Sequence, residues 1–436
     1  MTPTQKVVQL YFNPIRRSLS NIFYGWWIVA SSFLMFSICG GIAYYGLTAF
    51  FNPIANEFNW SAAAVSFAFS LRSVEAGFLS PLIGFFIDKF GARKIVLFGI
   101  LLNGLGYLLM SHTHSLLFFY GSFVLLSIGT SCGVGMAQYV TVANWFSKKR
   151  TLAMGITASG YGVSGFIGPI LVWLIAQNGW RSALVIVAIV VWLVGIPLGL
   201  VLRHKPESYG YLPDGEKRPA SSVSRDAHAE PVHSIKVAAD VSQERDLTVR
   251  QALATSTFWL LILFGSFTGL APSAIISLEM PYLTSVGISR QIAGWAILGM
   301  TGLSLVGRLG FGVLGDRYDK RRLLAIGAAL QFAGVLVFAM VTSPWMIVPF
   351  VLLYGPGWAS QIPIWPSIRA EYFGLKHFAT IGGLQGLGFT ISGIVAPLLA
   401  GWVFDVWGTY RPIWLAYAVA TAIGIPFVLL IRKKRR

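Results

Sequence analysis

Charge is scarce in this 436-residue chain, so the few ionisable groups that fall inside apolar stretches are where chemistry is to be sought. Arg308 stands in GLSLVGRLGFGVLGD (302–316), eight residues before Asp316. On a helix that is about 12 Å in from the end of the stretch. No acid lies within one helical turn of it along the chain. An ionisable residue inside a membrane span is costly and marks a functional position by default. A guanidinium offers a planar fork of donors matched to a carboxylate. Its position therefore points to an anion-binding site, the alternative being a structural counter-ion from another helix.

Arg72 and Glu75 are three apart in FSLRSVEAGFLSP (69–81), close enough to meet on one helix face. Arg72 is eleven residues past Ser61, about 16 Å in and near a bilayer midplane. The pair is either self-neutralised or makes Glu75 a protonatable carboxyl. No histidine falls well inside a span, which leaves carboxylates as the proton carriers. Glu279, toward the far end of the stretch that opens at Ser256, is expected at the outer mouth as a solvated rim residue. Tyr139, Tyr161, Tyr354, Trp358 and Trp365 are candidates to line a cavity or to anchor span ends.

These residues need long helices to hold them. The chain is 55% hydrophobic and 11% charged, against about 25% charged in a soluble domain. Apolar stretches of about 20 residues cross a ~30 Å hydrocarbon core. They fall near 22–50, 61–88, 93–113, 116–143, 151–176 and 181–203, and again near 256–285, 290–315, 322–342, 345–371, 378–404 and 411–432. The expectation is an all-α membrane protein of twelve spans in two six-helix bundles, 22–203 and 256–432. An N-terminal arm (1–21), a polar linker (204–255) and a basic tail (433–436) complete the chain.

Net charge is +17, yet 28 of the 33 Lys and Arg fall on one face, with Arg369 of the string RAEYFG counted among the loop charges there. That asymmetry orients a membrane protein and places both termini in the cytoplasm; it argues against nucleic acid as a partner. The first 21 residues hold no cleavable-signal pattern, so the first span is expected to be retained. A bacterial inner membrane is the expected location. Cys39 and Cys132 both fall in spans and give no disulfide framework, and the linker histidines His204, His228 and His233 have no metal-ligand spacing. No cofactor, metal or catalytic set is expected, so the chain does not read as an enzyme.

The halves repeat. GFFIDKFGARK (84–94) returns as GVLGDRYDKRR (312–322), and the step that carries Asp88 to Asp316 also carries Ser61 to Ser289 and Pro169 to Pro397. The glycine runs 155–169 and 382–393 put small residues on helix faces that let backbones approach closely. A carboxylate beside a helix N-terminus is stabilised by about 0.3–1 kcal/mol or more. Asp88 is accordingly expected to bond across the bundles to the start of span 11, with Asp316 its counterpart at span 5. Arg93 and Arg321 are expected to share in that inner gate. Topology alone is the alternative use of these loops.

The D-[KR]-x-G-x-[RK]-[RK] loop after the second span, copied after the eighth with Asp319 in place of Gly, resembles the signature of the major facilitator superfamily. That resemblance covers the chain outside the tails and linker and implies alternating access around a central site. YGWWIV (24–29), ANWFSKKRTLAMGI (143–156), MPYLTSVGIS (280–289), GRLGFGVLGDR (307–317) and RAEYFG (369–374) resemble the monocarboxylate and oxalate/formate carriers. In that group the arginine matched by Arg308 is thought to hold a substrate carboxylate. The oxalate/formate exchangers are expected to carry a lysine in span 11, where GFTISG (388–393) has none, so a monoanion fits better than a dianion. Mammalian-type carriers place an acid one turn before the arginine, here Ser304. The expected function is transport of lactate-, pyruvate- or formate-sized monocarboxylates by a monomer in the lipid bilayer, with proton symport. Arg308, Tyr139, Tyr161, Tyr354 and Trp358 would line the site, and Glu75 with Arg72 would set the coupling. An organic-anion exchanger, or an exporter of another organic acid, is the alternative.

Overall fold

The computed structural model describes residues 23–44, 46–215 and 246–432. The expected arm (1–21), the linker stretch 216–245 with His228 and His233, and the tail (433–436) lie outside the described residues. Among the described residues ten helical stretches are long and apolar enough to cross a membrane. One of them, Arg150–Val201, is two spans joined where Gly179 adopts φ +74°, a turn that side chains disfavour. Ala62–Phe90 adds a twelfth span.

In chain order the spans are α1 (Tyr24–Phe58), α2 (Ala62–Phe90), α3 (Ala92–Ser111), α4 (Leu116–Trp145), α5 (150–178) and α6 (180–201). The second set is α7 (Ser256–Ser285), α8 (Arg290–Arg317), α9 (Lys320–Ala339), α10 (Ile347–Phe373), α11 (Phe378–Trp407) and α12 (Arg411–Leu429). Ser61 and Ser289, the related pair, each accept from the backbone N–H three residues on, capping α2 and α8.

Among the described residues three spans are interrupted, α5 by a 3-10 stretch at Ser164–Phe166, which apolar length alone did not show. α1 passes through a π turn at Phe36–Gly40 and a 3-10 stretch at Gly46–Phe50. α4 breaks at Gly135, φ +131°, where Gln138 accepts from the Gly135 N–H and donates to the Gly133 carbonyl. Broken backbone at membrane depth persists where protein resupplies the freed groups.

Each half has its own packed interior. Phe36, Tyr107, Phe119, Phe123 and Trp145 fill the first bundle, and Tyr282, Phe338, Phe350, Tyr354 and Trp414 the outer part of the second. Between the bundles the contact is backbone against backbone. A Cβ added at Gly84 would lie 2.3 Å from the Ala379 carbonyl oxygen, and one at Gly155 2.6 Å from that of Arg308. The counterparts one repeat later behave alike: Gly312 meets Leu152 Cα at 3.2 Å, and Gly383 meets the Ser80 oxygen at 2.4 Å. These approaches lie toward the face bearing the charged loops, called inner below. Farther out, Gly165 and Gly168 of α5 and Gly294 and Gly302 of α8 meet open space.

The described flanks of the linker are not a loose polar tether. Asp214 accepts from the N–H groups of Ser147 and Lys148 (3.0 and 2.7 Å), and Asp246 accepts from those of Leu375 and Lys376 (2.8 and 3.3 Å). The turns so held precede α5 and α11 and are themselves related by the repeat step. His204 is partly buried against the start of α3, which, with the nearby Lys205, lowers its pKa. No metal-ligand grouping forms among the described residues.

Replacing Gly84 by Ala should prevent the inner closure of α2 on α11 at a cost of about 1–3 kcal/mol. Distances between spin labels on the inner ends of α2 and α11 should lengthen. Unchanged distances would mean that this approach does not limit closure.

Candidate functional site

Acids in the last turn of a helix face the negative end of its dipole and need outside donors. Asp88, near the end of α2, accepts from the backbone N–H of Ala379 (3.1 Å) and Thr380 (2.8 Å) and from the Thr380 hydroxyl (2.6 Å). Asp316, near the end of α8, accepts from the N–H of Thr151 (2.7 Å) and Leu152 (3.0 Å). The receiving helices, α11 and α5, have no side-chain cap of their own at His377 and Lys149. Each carboxylate therefore supplies, from the opposite bundle, acceptors for N–H groups that a helix start leaves bare. Thr151 and Ser367 add a hydroxyl pair across the same boundary at 2.8 Å.

The two basic residues expected to share this contact do not reach across. Arg321 bonds Asp319 and the Ile431 carbonyl within its own bundle, and Asp319, standing where the motif has Gly, caps α9. Arg93 lies within electrostatic reach of Tyr24, also in its own bundle. The reason is position: both open helices, α3 and α9, that pack inside their own half.

Arg308 is buried, 4% exposed, about 13 Å from the inner end of α8. It donates to the Ala158 carbonyl of α5 at 2.6 Å, so its guanidinium crosses the bundle boundary. Its charged carbon is 5.8 Å over the Trp358 ring of α10, a favourable cation–π placement. Tyr139 of α4 is within electrostatic reach of it. Tyr139 and Tyr161 both pack on Phe36 of α1, at 5.6 and 4.5 Å between ring centroids. Arg308, Tyr139, Tyr161 and Trp358 thus gather where α1, α4, α5, α8 and α10 meet.

Tyr354 is a correction. It stacks on Phe350 inside the second bundle and is covered by Gly334 of α9, facing away from that junction. Trp365 likewise stacks on Phe264. On α10, with prolines at 356, 363 and 366, the face bearing Trp358 looks toward Arg308.

Arg72 and Glu75 act on each other electrostatically, and each also bonds a neighbour of its own. Arg72 donates to the Ala43 carbonyl in the broken part of α1 at 2.5 Å, and Glu75, 8% exposed, accepts from Ser131 of α4 at 3.4 Å. One Glu75 oxygen is buried with no hydrogen-bond partner among the described residues. Glu279 is no rim residue: it is 3% exposed and within electrostatic reach of Tyr354. Counting along α7 gave its depth but not its face, which turns into the second bundle.

The residue sequence reasoning missed is Arg369. It is 5% exposed, donates from Nε to Gln385 Oε1 of α11 at 2.9 Å, and lies 3.5 Å by Nη1 from the Met136 sulfur of α4. Its place inside the 345–371 stretch was the available signal, overridden by counting it as a loop charge.

A family model described as Major Facilitator Superfamily matches residues 32–278 and 261–436. Monocarboxylate transporter 12 of Mus musculus is 26% identical over 95% of this chain and 87% of its own length. Monocarboxylate transporter 13 of Bos taurus is 28% identical over 89% and 84%. Among solved structures, the E. coli fucose:proton symporter superposes with TM-score 0.67 at 16% identity, covering 93% of this chain and 98% of that one. A proton:xylose symporter gives 0.71 at 14%, covering 94% and 96%.

Removing one partner of a charged hydrogen bond costs about 1.5–3 kcal/mol. Asp88→Asn should therefore raise the reactivity of a cysteine placed at the inner end of α11 toward a membrane-impermeant thiol reagent by tenfold or more, taking about 1.4 kcal/mol per decade. Asp316→Asn should do the same at α5. Unaltered labelling in both would leave these bonds without a gating role.

Proposed function

The chain belongs to the major facilitator superfamily, and within it we propose a secondary transporter of small monocarboxylates, of lactate, pyruvate or formate size, working by alternating access. Members of the superfamily carry solutes across membranes and are not enzymes. The observation that carries the reading is Arg308: a buried guanidinium, on one bundle, bonded to a backbone carbonyl of the other. A carboxylate arriving there exchanges a neutral acceptor for a charged one, and charge-assisted bonds are roughly twice as strong. The exchange also releases a contact between the bundles. Binding and bundle movement then share one hydrogen bond, which is the differential interaction a conformational shift requires. The names of the relatives favour the same cargo.

With the Asp88 and Asp316 bonds made and the outer glycines unpacked, we read this as the form closed on the inner side. The basic excess supports assigning that side, and both termini, to the cytoplasm. Proton symport through Glu75 is the coupling we propose. Glu75 contacts Ser131 rather than Arg308, so the coupling would run through α2 and α4 and not by direct contact with the cargo. That separation also favours testing a second reading, exchange of organic anions without protons.

Uptake of labelled pyruvate into proteoliposomes tests these roles. Arg308→Gln should lower kcat/KM by tenfold or more, as expected for about 1.5–3 kcal/mol from a bond to a charged group. Full uptake by that variant would remove the central claim. Glu75→Gln should keep pyruvate exchange but lose accumulation driven by an inward proton gradient. Accumulation unchanged in Glu75→Gln would exclude that carboxyl, and wild-type uptake that ignores pH and needs internal anion would establish exchange.

A further inference from the structure

Arg369 and Gln385 are both buried, and the Gln385 amide keeps a donor with nothing to receive it among the described residues. The Arg369 guanidinium is packed so closely on α11 that a Cβ at Gly382 would lie 2.1 Å from Nη1, and its carbon is 5.1 Å over the Phe378 ring. Its neighbours are thus an amide oxygen, a thioether sulfur and a ring face. Among the described residues it makes no ion pair. Asp88 acts on it electrostatically, but the Asp88 oxygens are engaged by Ala379 and Thr380. Because Arg369 Nε can only donate, the Gln385 oxygen faces it and the Gln385 NH₂ points elsewhere. That nitrogen is buried and has no partner among the described residues. A cation and an orphan amide donor side by side form a site that wants an anionic acceptor.

Its placement says when such an acceptor arrives. Arg369 is four residues from the inner end of α10 and Arg308 nine from that of α8, so the two backbones sit about 6 and about 13 Å in. Tyr139 is within electrostatic reach of both guanidinium groups. Arg369 and Gln385 ride on the second bundle, whereas Met136, which covers them, belongs to the first. Separation of the bundles at the inner face therefore keeps the pair together and uncovers it.

We propose that Arg369 and Gln385 form a second anion-binding position, inward of Arg308, that receives the carboxylate as the Asp88 and Asp316 bonds release. The proposal rests on the carboxylate-transport reading. It assigns Arg369 to passage of the cargo and Arg308 to its capture.

The test is pyruvate uptake and thermal stabilisation with the full-length protein, comparing Arg369→Gln, Arg369→Lys, Gln385→Leu and Arg308→Gln. Arg369→Gln should lower maximal uptake by about tenfold while external KM moves by less than about threefold. Pyruvate should still raise its melting temperature. Arg369→Lys, which keeps the charge and checks that the protein folds, should restore part of the rate, and Gln385→Leu should slow it less. Arg308→Gln should instead lose the pyruvate-induced thermal shift. Unchanged maximal uptake in Arg369→Gln overturns the proposal. So does a loss that Lys does not relieve, accompanied by inner labelling that is already high without pyruvate, because Arg369 would then be a brace for the closed form. Uptake that depends on Arg308 but not on Arg369 sinks only this inference. A wild type that neither binds nor carries monocarboxylates sinks the transport reading and this inference together.

Discussion

A carboxylate at the end of one helix supplies acceptors for the bare N–H groups at the start of another, across the boundary between the bundles, and it does so twice. Much of the arrangement depends on that exchange. It places α2 against α11 and α8 against α5 closely enough that an added Cβ would overlap backbone at Gly84, Gly155 and Gly383 and sit tightly at Gly312. It brings Arg308 within a hydrogen bond of α5. The interaction suits a boundary that must open, because its strength is concentrated in a few charged hydrogen bonds. An interface closed by interlocked side chains would have to lose a large apolar contact instead.

Among the described residues, neutral groups take part in holding four of the ionisable residues in the spans. Arg72 takes a carbonyl from a broken helix, Glu75 a hydroxyl, Arg308 a carbonyl from the other bundle and Arg369 an amide. The two arginines deepest in the second bundle both look toward Tyr139 of the first. Along this part of the boundary two cations of the second bundle thus lie near one tyrosine of the first.

The internal repeat is kept where it serves closure and broken where it serves binding. Asp88 and Asp316, and the helix starts they cap, match residue for residue at the same step. Arg308 has Ser80 at its equivalent position, and that serine meets Gly383 through its backbone and Gly386 through its hydroxyl. The linker adds a symmetry of its own making. Asp214 and Asp246 hold the turns before α5 and α11, although nothing in the repeat relates the two acids.

Spans, repeat and Asp partners could be read from the chain because each is a local or periodic property: apolar length or a motif at a fixed step. Arg308 was legible for the same reason, a charge well inside a stretch whose other charges stand at its ends. Depth along a helix follows from counting at about 1.5 Å per residue, but the direction in which a side chain faces does not. Hence Glu279 was placed at the right end of α7 and on the wrong face, and Tyr354 on the right helix but turned into the wrong interior. Hence also Arg369, near a loop in sequence, reaches inward to Gln385. The sequence by itself determined twelve spans in two repeated sets and the residues able to join them. Only the tertiary structure decided which charges share a boundary, because that depends on helix rotation and on neighbours hundreds of residues away.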